Sequence, residues 1–83
     1  MKYKISQLDR LRLLKAWGEG SLLGVIDAGY PIALKARNQL GLSDTFCEKL
    51  PDMYADLIKR MFADKSGATE FITAFEKLLN SEQ

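Results

Sequence analysis

Histidine is absent from the 83 residues of this chain, and cysteine occurs once, as Cys47. Without histidine the chain lacks the usual general base near neutral pH, the usual nitrogen ligand of zinc and the base of Ser-His and Cys-His pairs. A single cysteine excludes an intramolecular disulfide and a structural zinc site. Cys47 falls on the apolar side of a predicted helix, which favours a buried structural thiol over a nucleophile. We therefore expect no enzymatic activity, no metal and no cofactor.

Phosphate-binding glycine motifs and long apolar runs are missing as well. Gly18, Gly20 and Gly24 do not have the spacing of a dinucleotide fingerprint, and no predicted strand precedes them. No stretch approaches the roughly 18 apolar residues that a membrane span needs. The two N-terminal lysines are not followed by an apolar run of signal-peptide length. We expect a cytoplasmic protein without a membrane partner.

Net charge is close to zero, at +1, but the two halves of the chain differ. Residues 1–40 contain seven basic and three acidic residues, whereas residues 41–83 contain five basic and eight acidic residues. Two interpretations follow: the halves attract each other within the fold or between copies, or a basic functional face is supported by an acidic body.

The chain length predicts one domain, residues 1–83, with a thin core that an oligomer would help to stabilise. The apolar spacing predicts an all-α, compact bundle of four to five short helices. We expect residues 1–5 and 81–83 to be frayed, although the alternation of Tyr3 and Ile5 with lysines also fits a brief extended segment. Predicted helix starts are the caps Ser6, Ser21, Ser43 and Thr69, and the two prolines set further boundaries. The resulting helical segments are 7–18, 22–28, 31–40, 44–50, 52–64 and one beyond Thr69.

The first predicted helix has two apolar faces. Leu8, Leu11 and Leu14 form one arc, and Leu13 and Trp17 form another, roughly opposite Leu8. Such a helix is either buried centrally or uses its second face for a partner. We assign Leu13 and Trp17 to the partner surface, with the central buried helix as the alternative.

The segment from Tyr30 to Leu40, with a helix predicted over 31–40, is the most plausible contact surface. A proline opens it, Gly41 closes it, and its charged residues are all basic. Together with segment 22–28 and a turn at Gly29-Tyr30 it has the outline of a helix-turn-helix. The fit is poor, because Lys35 and Asn38 occupy positions where that motif requires apolar packing.

These features predict a small, non-enzymatic helical module that binds another protein, as a regulator or inhibitor, with self-association as a further possibility. The predicted partner-binding residues are Leu13, Trp17, Leu34, Lys35, Arg37 and Asn38. The alternative is a DNA- or RNA-binding regulator that uses the cations of the first half, namely Arg10, Arg12, Lys15, Lys35 and Arg37.

Overall fold

Four α-helices make up the computed structural model, which describes residues 2–82. They are α1 (Gln7–Gly18), α2 (Leu22–Leu40), α3 (Asp44–Ala63) and α4 (Ala68–Leu79). The most extensive contacts of each helix are with two others, so that α1 lies between α2 and α4, and α3 closes the ring between the same two helices. No strand occurs among the described residues. The prediction of an all-α bundle is confirmed, with four helices.

Serine side chains start three of the helices, as predicted. The hydroxyls of Ser6, Ser21 and Ser43 accept hydrogen bonds from the backbone N–H three residues later. Each hydroxyl thereby satisfies a donor that has no partner within its helix. The predicted cap Thr69 is wrong, since α4 begins at Ala68 and Gly67 precedes it without a side-chain cap.

Both prolines lie inside helices, which corrects the two boundaries predicted next to them. Pro31 lacks an N–H and costs a helix interior about 3 kcal/mol. The buried face of α2 nevertheless continues across it, formed by Val25, Gly29, Ile32 and Ala36. Breaking the helix at Gly29 would divide this face, so core packing outweighs the local cost. The predicted Gly29-Tyr30 turn is absent, and with it the helix-turn-helix outline.

Pro51 is tolerated in α3 for the same reason. The predicted helix end before Pro51 is wrong, because α3 runs on to Ala63. Its buried residues lie on one face across the proline, at Leu50, Tyr54, Leu57 and Ile58. The pair of predicted short helices on either side of each proline is therefore a single long helix.

Aromatic rings fill the centre of the bundle. Trp17 of α1 is stacked between Phe62 of α3 and Phe71 of α4, with ring centroids 4.1 and 4.4 Å away. The indole Nε1 donates a 3.0 Å hydrogen bond to the carbonyl of Ser66. The only polar atom of the tryptophan is thus satisfied while its ring packs against two others.

The N-terminal segment is not frayed over its described part. Tyr3 and Ile5 are 4% and 5% exposed, whereas Lys2 and Lys4 are exposed, which agrees with the extended alternative. Asn80 holds this segment: its Oδ1 accepts from the Tyr3 N–H, and its Nδ2 donates to the Tyr3 carbonyl. Met1 lies outside the described residues.

The C-terminal tail also makes a contact. Glu82 accepts hydrogen bonds from the backbone N–H and the hydroxyl of Ser43, which lower the pKa of its carboxyl. Ser43 is the N-cap of α3, so the tail reaches the loop between α2 and α3. Gln83, the last residue of the tail predicted to fray, lies outside the described residues.

Candidate functional site

The two predicted contact residues on α1 are part of the core. Leu13 is fully buried and Trp17 is 8% exposed. Their assignment to a free face is wrong, because α1 turns this arc into the core, where Trp17 stacks on rings of α3 and α4. The opposite arc faces outward instead, with Leu8 and Leu11 more than half exposed. Helix α1 is therefore not buried on all sides. Its exposed face is the one that carries Leu8 and Leu11, not the one that carries Leu13 and Trp17.

The four predicted contact residues on α2 are exposed, but they do not share one surface. Lys35 reaches across to Asp9 of α1. Leu34 and Arg37 line a groove on the opposite side, between α2 and α3. Asn38 is exposed and does not line the groove. All four residues lie within the predicted helix 31–40, but helical periodicity does not show which neighbouring helix each of its sides meets.

An apolar groove runs between α2 and α3, with a volume of about 260 Å³. We refer to it as the α2/α3 groove. Ten of its eleven lining residues are uncharged, and Arg37 is the exception. The lining residues are Ile26, Gly29, Tyr30, Ala33, Leu34, Arg37, Cys47, Leu50, Pro51, Tyr54 and Phe75.

A close contact between the two helices forms the floor of the groove. The Tyr54 ring lies against the backbone of Gly29, where an added Cβ would overlap its hydroxyl. That hydroxyl donates a 2.7 Å hydrogen bond to the carbonyl of Val25, one turn earlier. Burial raises the pKa of Tyr54, so the hydroxyl remains a donor at neutral pH. The floor is therefore apolar in character, since its polar atom is already paired.

Exposed apolar side chains extend the groove along the outer edge of α2. Leu23 is 72% exposed, Tyr30 is 66% exposed and Leu34 is 39% exposed. Their spacing of seven and four residues places them on one stripe of a continuous helix. Leu23 and Ile26 were missed at the sequence level, because this stripe becomes visible only when α2 is treated as one helix. Tyr30 lies in the predicted contact segment but was not assigned as a partner-binding residue.

Cys47 and Pro51 form part of the α3 wall. Cys47 is partly buried and unpaired. Pro51 has no N–H, so the Cys47 carbonyl lacks the donor that residue i+4 normally supplies in a helix. The only thiol of the chain therefore lines the groove, where a bound molecule would cover it.

Asp9 explains why Lys35 is not a free cation. The carboxylate is 2% exposed, and Lys35 Nζ lies 2.7 Å from its Oδ2. Arg12 Nη1 lies 3.6 Å from Oδ1, and the Ser6 hydroxyl donates to Oδ2. The hydrogen bond from Lys35 is the main cause of a lowered pKa of Asp9, which burial alone would raise. This cluster joins α1 to α2, and we interpret the ion pair between Asp9 and Lys35 as structural.

The cations of the nucleic-acid alternative differ in their ion pairing. Arg12 and Lys35 both contact Asp9, and Arg10 Nη2 lies 3.5 Å from Glu76 Oε1 of α4. Among residues 2–82, Lys15 and Arg37 form no ion pair within 4.0 Å, and they lie in the last turns of α1 and α2, respectively. Three of the five cations are therefore paired with carboxylates, and the nucleic-acid alternative stays a prediction.

No cluster of metal-binding side chains is assembled in the described part of the chain. Residues 2–82 contain no group of three or more Cys, Asp and Glu side chains that could hold a metal ion. None of the four helices combines the length and hydropathy that a membrane span requires. The α2/α3 groove is thus the feature best suited to a functional contact. Comparison of the chain with protein-family models, curated proteins and solved structures found no match.

Proposed function

We propose that this chain is a non-enzymatic protein-interaction module whose α2/α3 groove receives the apolar face of a helix from its partner. The observation that carries the proposal is the pairing of an apolar groove with a row of exposed apolar side chains on α2. A monomeric domain rarely leaves such a row uncovered without a binding role. Hydrophobic anchors of this kind supply most of the affinity in protein interfaces.

The geometry favours a helix as the inserted element. The groove lies between two helices and follows α2 from Ile26 to Arg37, about 16 Å at 1.5 Å per residue. Three turns of a partner helix would place side chains at i, i+4 and i+7 along that length. The described residues contain no strand, so an extended peptide would find no sheet edge to extend.

A displayed library of amphipathic helical peptides, selected on the immobilised wild-type protein, tests this proposal. Binding of the selected, fluorescein-labelled peptides is then measured by anisotropy for the wild type, for Leu34→Gln and for Leu11→Gln. We expect Leu34→Gln to weaken binding about tenfold, equivalent to about 1.4 kcal/mol. Leu11 is a matched control, because it is also exposed but lies on α1.

Cys47 supplies an independent readout, because it is the only cysteine and lines the groove. A peptide that occupies the groove should slow alkylation of Cys47 by iodoacetamide. The proposal fails if no peptide is enriched, or if the enriched peptides bind both leucine variants equally and leave the alkylation rate unchanged. Sedimentation equilibrium of the protein alone tests the further possibility of self-association.

A further inference from the structure

We infer that the helix bound by this groove is acidic and places a carboxylate against Arg37. The inference rests on the proposed function and specifies the chemistry of the partner. Arg37 is the single charged side chain that lines the groove, it is exposed, and it has no ion pair within 4.0 Å among residues 2–82. It is therefore available to a partner in a way that Arg10, Arg12 and Lys35 are not.

Hydrogen bonds fix the backbone of Arg37 at one end of the groove. Its carbonyl accepts hydrogen bonds from the N–H groups of both Gly41 and Leu42, at 3.0 and 3.3 Å. Gly41 adopts the left-handed conformation, with φ of 66°, that closes a helix in this way. Leu42 is buried, so the chain leaving α2 is anchored to the core. The Arg37 side chain thus extends from a backbone position that is fixed at the end of α2, next to the apolar lining of the groove.

An arginine in this position matches a carboxylate better than it matches other groups. Its planar guanidinium donates two parallel hydrogen bonds to one carboxylate. A partner helix with apolar side chains in the groove and Asp or Glu one turn away would make both contacts at once. The apolar contacts would provide affinity, and the charge pair would fix the direction of the bound helix.

The α1 face of a second copy is a poor occupant of the groove. Among residues 2–82 and outside α2, the exposed large apolar residues are Leu8 and Leu11 on α1. The exposed charged residues of that helix are all basic, namely Arg10, Arg12 and Lys15. Docking this face of another copy into the groove would bring cations towards Arg37. Charge therefore disfavours this basic face as the occupant, whereas an acidic helix complements Arg37.

A helix-dipole role for Arg37 is a competing explanation that the experiment must separate. A cation in the last turn of a helix stabilises it by interaction with the macrodipole. Arg37→Lys preserves that stabilisation but loses the planar, two-pronged donor. Arg37→Glu removes both, and Lys49→Glu makes the same change of charge at an exposed site of α3 that does not line the groove.

The test uses the peptides selected on the wild-type protein and the same anisotropy measurement. We expect the enriched sequences to carry Asp or Glu next to the apolar anchors. Arg37→Glu should weaken their binding tenfold or more, Arg37→Lys should weaken it less, and Lys49→Glu should leave it within about twofold. Replacing the Asp or Glu of the peptide by lysine should abolish binding to the wild-type protein. The same peptide should regain binding to the Arg37→Glu variant.

The outcomes separate this inference from the proposed function. Peptides that lose affinity with Leu34→Gln but show no acidic preference, and bind Arg37→Glu as well as the wild type, would overturn the acidic-partner inference and leave the groove in place. Peptides insensitive to both Leu34→Gln and Arg37→Glu would overturn both. An equal loss with Lys49→Glu would attribute the effect to net charge and would also overturn the inference.

Discussion

The hydroxyl group of Tyr54 occupies the space in which a side chain at position 29 would begin, so Gly29 is the residue that lets α2 and α3 meet. The hydroxyl passes the Gly29 backbone and donates to the Val25 carbonyl. This contact sets the spacing of the two helices and closes the floor of the groove between them. The core and the candidate site therefore depend on the same pair of residues.

Substitution of Gly29 tests this contact directly. Alanine would normally stabilise a helix interior by up to about 1 kcal/mol relative to glycine. At position 29 we expect Gly29→Ala to destabilise the protein by about 1–3 kcal/mol instead, because the added methyl overlaps Tyr54. Gly18→Ala is the matched control, since nothing lies within 4 Å of its Cβ position and a neutral or stabilising effect is expected. Urea unfolding followed by circular dichroism measures both, and equal effects would contradict the steric argument.

Alkaline pH should unfold the protein through its buried tyrosines. Burial raises the pKa of Tyr54 and of Tyr3 above the ordinary value of 10.0. The unfolded chain therefore releases protons first as pH rises, and the contribution of these tyrosines to the free energy of unfolding should be constant below pH 10 and fall above it. Tyr54→Phe should make this fall shallower while costing about 1 kcal/mol at neutral pH through the lost hydrogen bond. A parallel decline in both proteins, measured by urea titration from pH 8 to 11, would refute the role of Tyr54.

The buried carboxylate of Asp9 should stabilise the fold in a pH-dependent way. Asp9→Asn replaces its charge-assisted hydrogen bonds by weaker ones, at a cost of about 1.5–3 kcal/mol near neutral pH. Because hydrogen bonding to Lys35 lowers the pKa of Asp9 below 3.8 in the folded state, the advantage of the wild type should be constant above that value. It should disappear as pH falls through the folded-state pKa. The exposed Asp56→Asn serves as control, and a wild-type advantage independent of pH would argue against an ionised Asp9.

The single tryptophan provides a direct test of its placement in the core. We expect blue-shifted Trp17 emission and weak quenching by iodide in the folded protein, because the ring is stacked between two phenylalanines. Trp17→Phe should cost about 1–2 kcal/mol through the lost hydrogen bond to Ser66 and the smaller ring. If Trp17 were instead quenched as readily as free tryptophan, the original assignment of this residue to a partner surface would be restored.

Local signals in the sequence were sufficient for several features of the fold. The serine caps Ser6, Ser21 and Ser43 and the terminator Gly41 were predicted at the right residues, because a cap acts within one helical turn. The helical class was recognised for the same reason, since the apolar periodicity of a helix depends only on near neighbours. Such features require no knowledge of what packs against them.

The two prolines show where local rules fail. Pro31 and Pro51 each predict a helix end, yet α2 and α3 continue because their buried faces extend across the break. The gain from burying several side chains against other helices outweighs a local cost of about 3 kcal/mol. That gain depends on long-range contacts, which spacing along the chain does not contain.

The candidate site was accordingly recovered in part. Leu34 and Arg37 were identified because they lie among polar neighbours within one short segment, and both line the groove. Leu13 and Trp17 were misassigned because a helical wheel with two apolar arcs does not say which arc meets the core. Tyr30 and Cys47 joined the site only through the packing of α2 on α3.

The amino-acid sequence alone established the helical class, the three serine caps and the absence of histidine, because these follow from residue identity and from neighbours within a turn. Tertiary structure decided which face of α1 is buried, which cations are neutralised and where α2 and α3 leave a groove. Each of these depends on side chains that are distant in the chain, such as Asp9 with Lys35 and Gly29 with Tyr54, and their contacts exist only after the helices have packed.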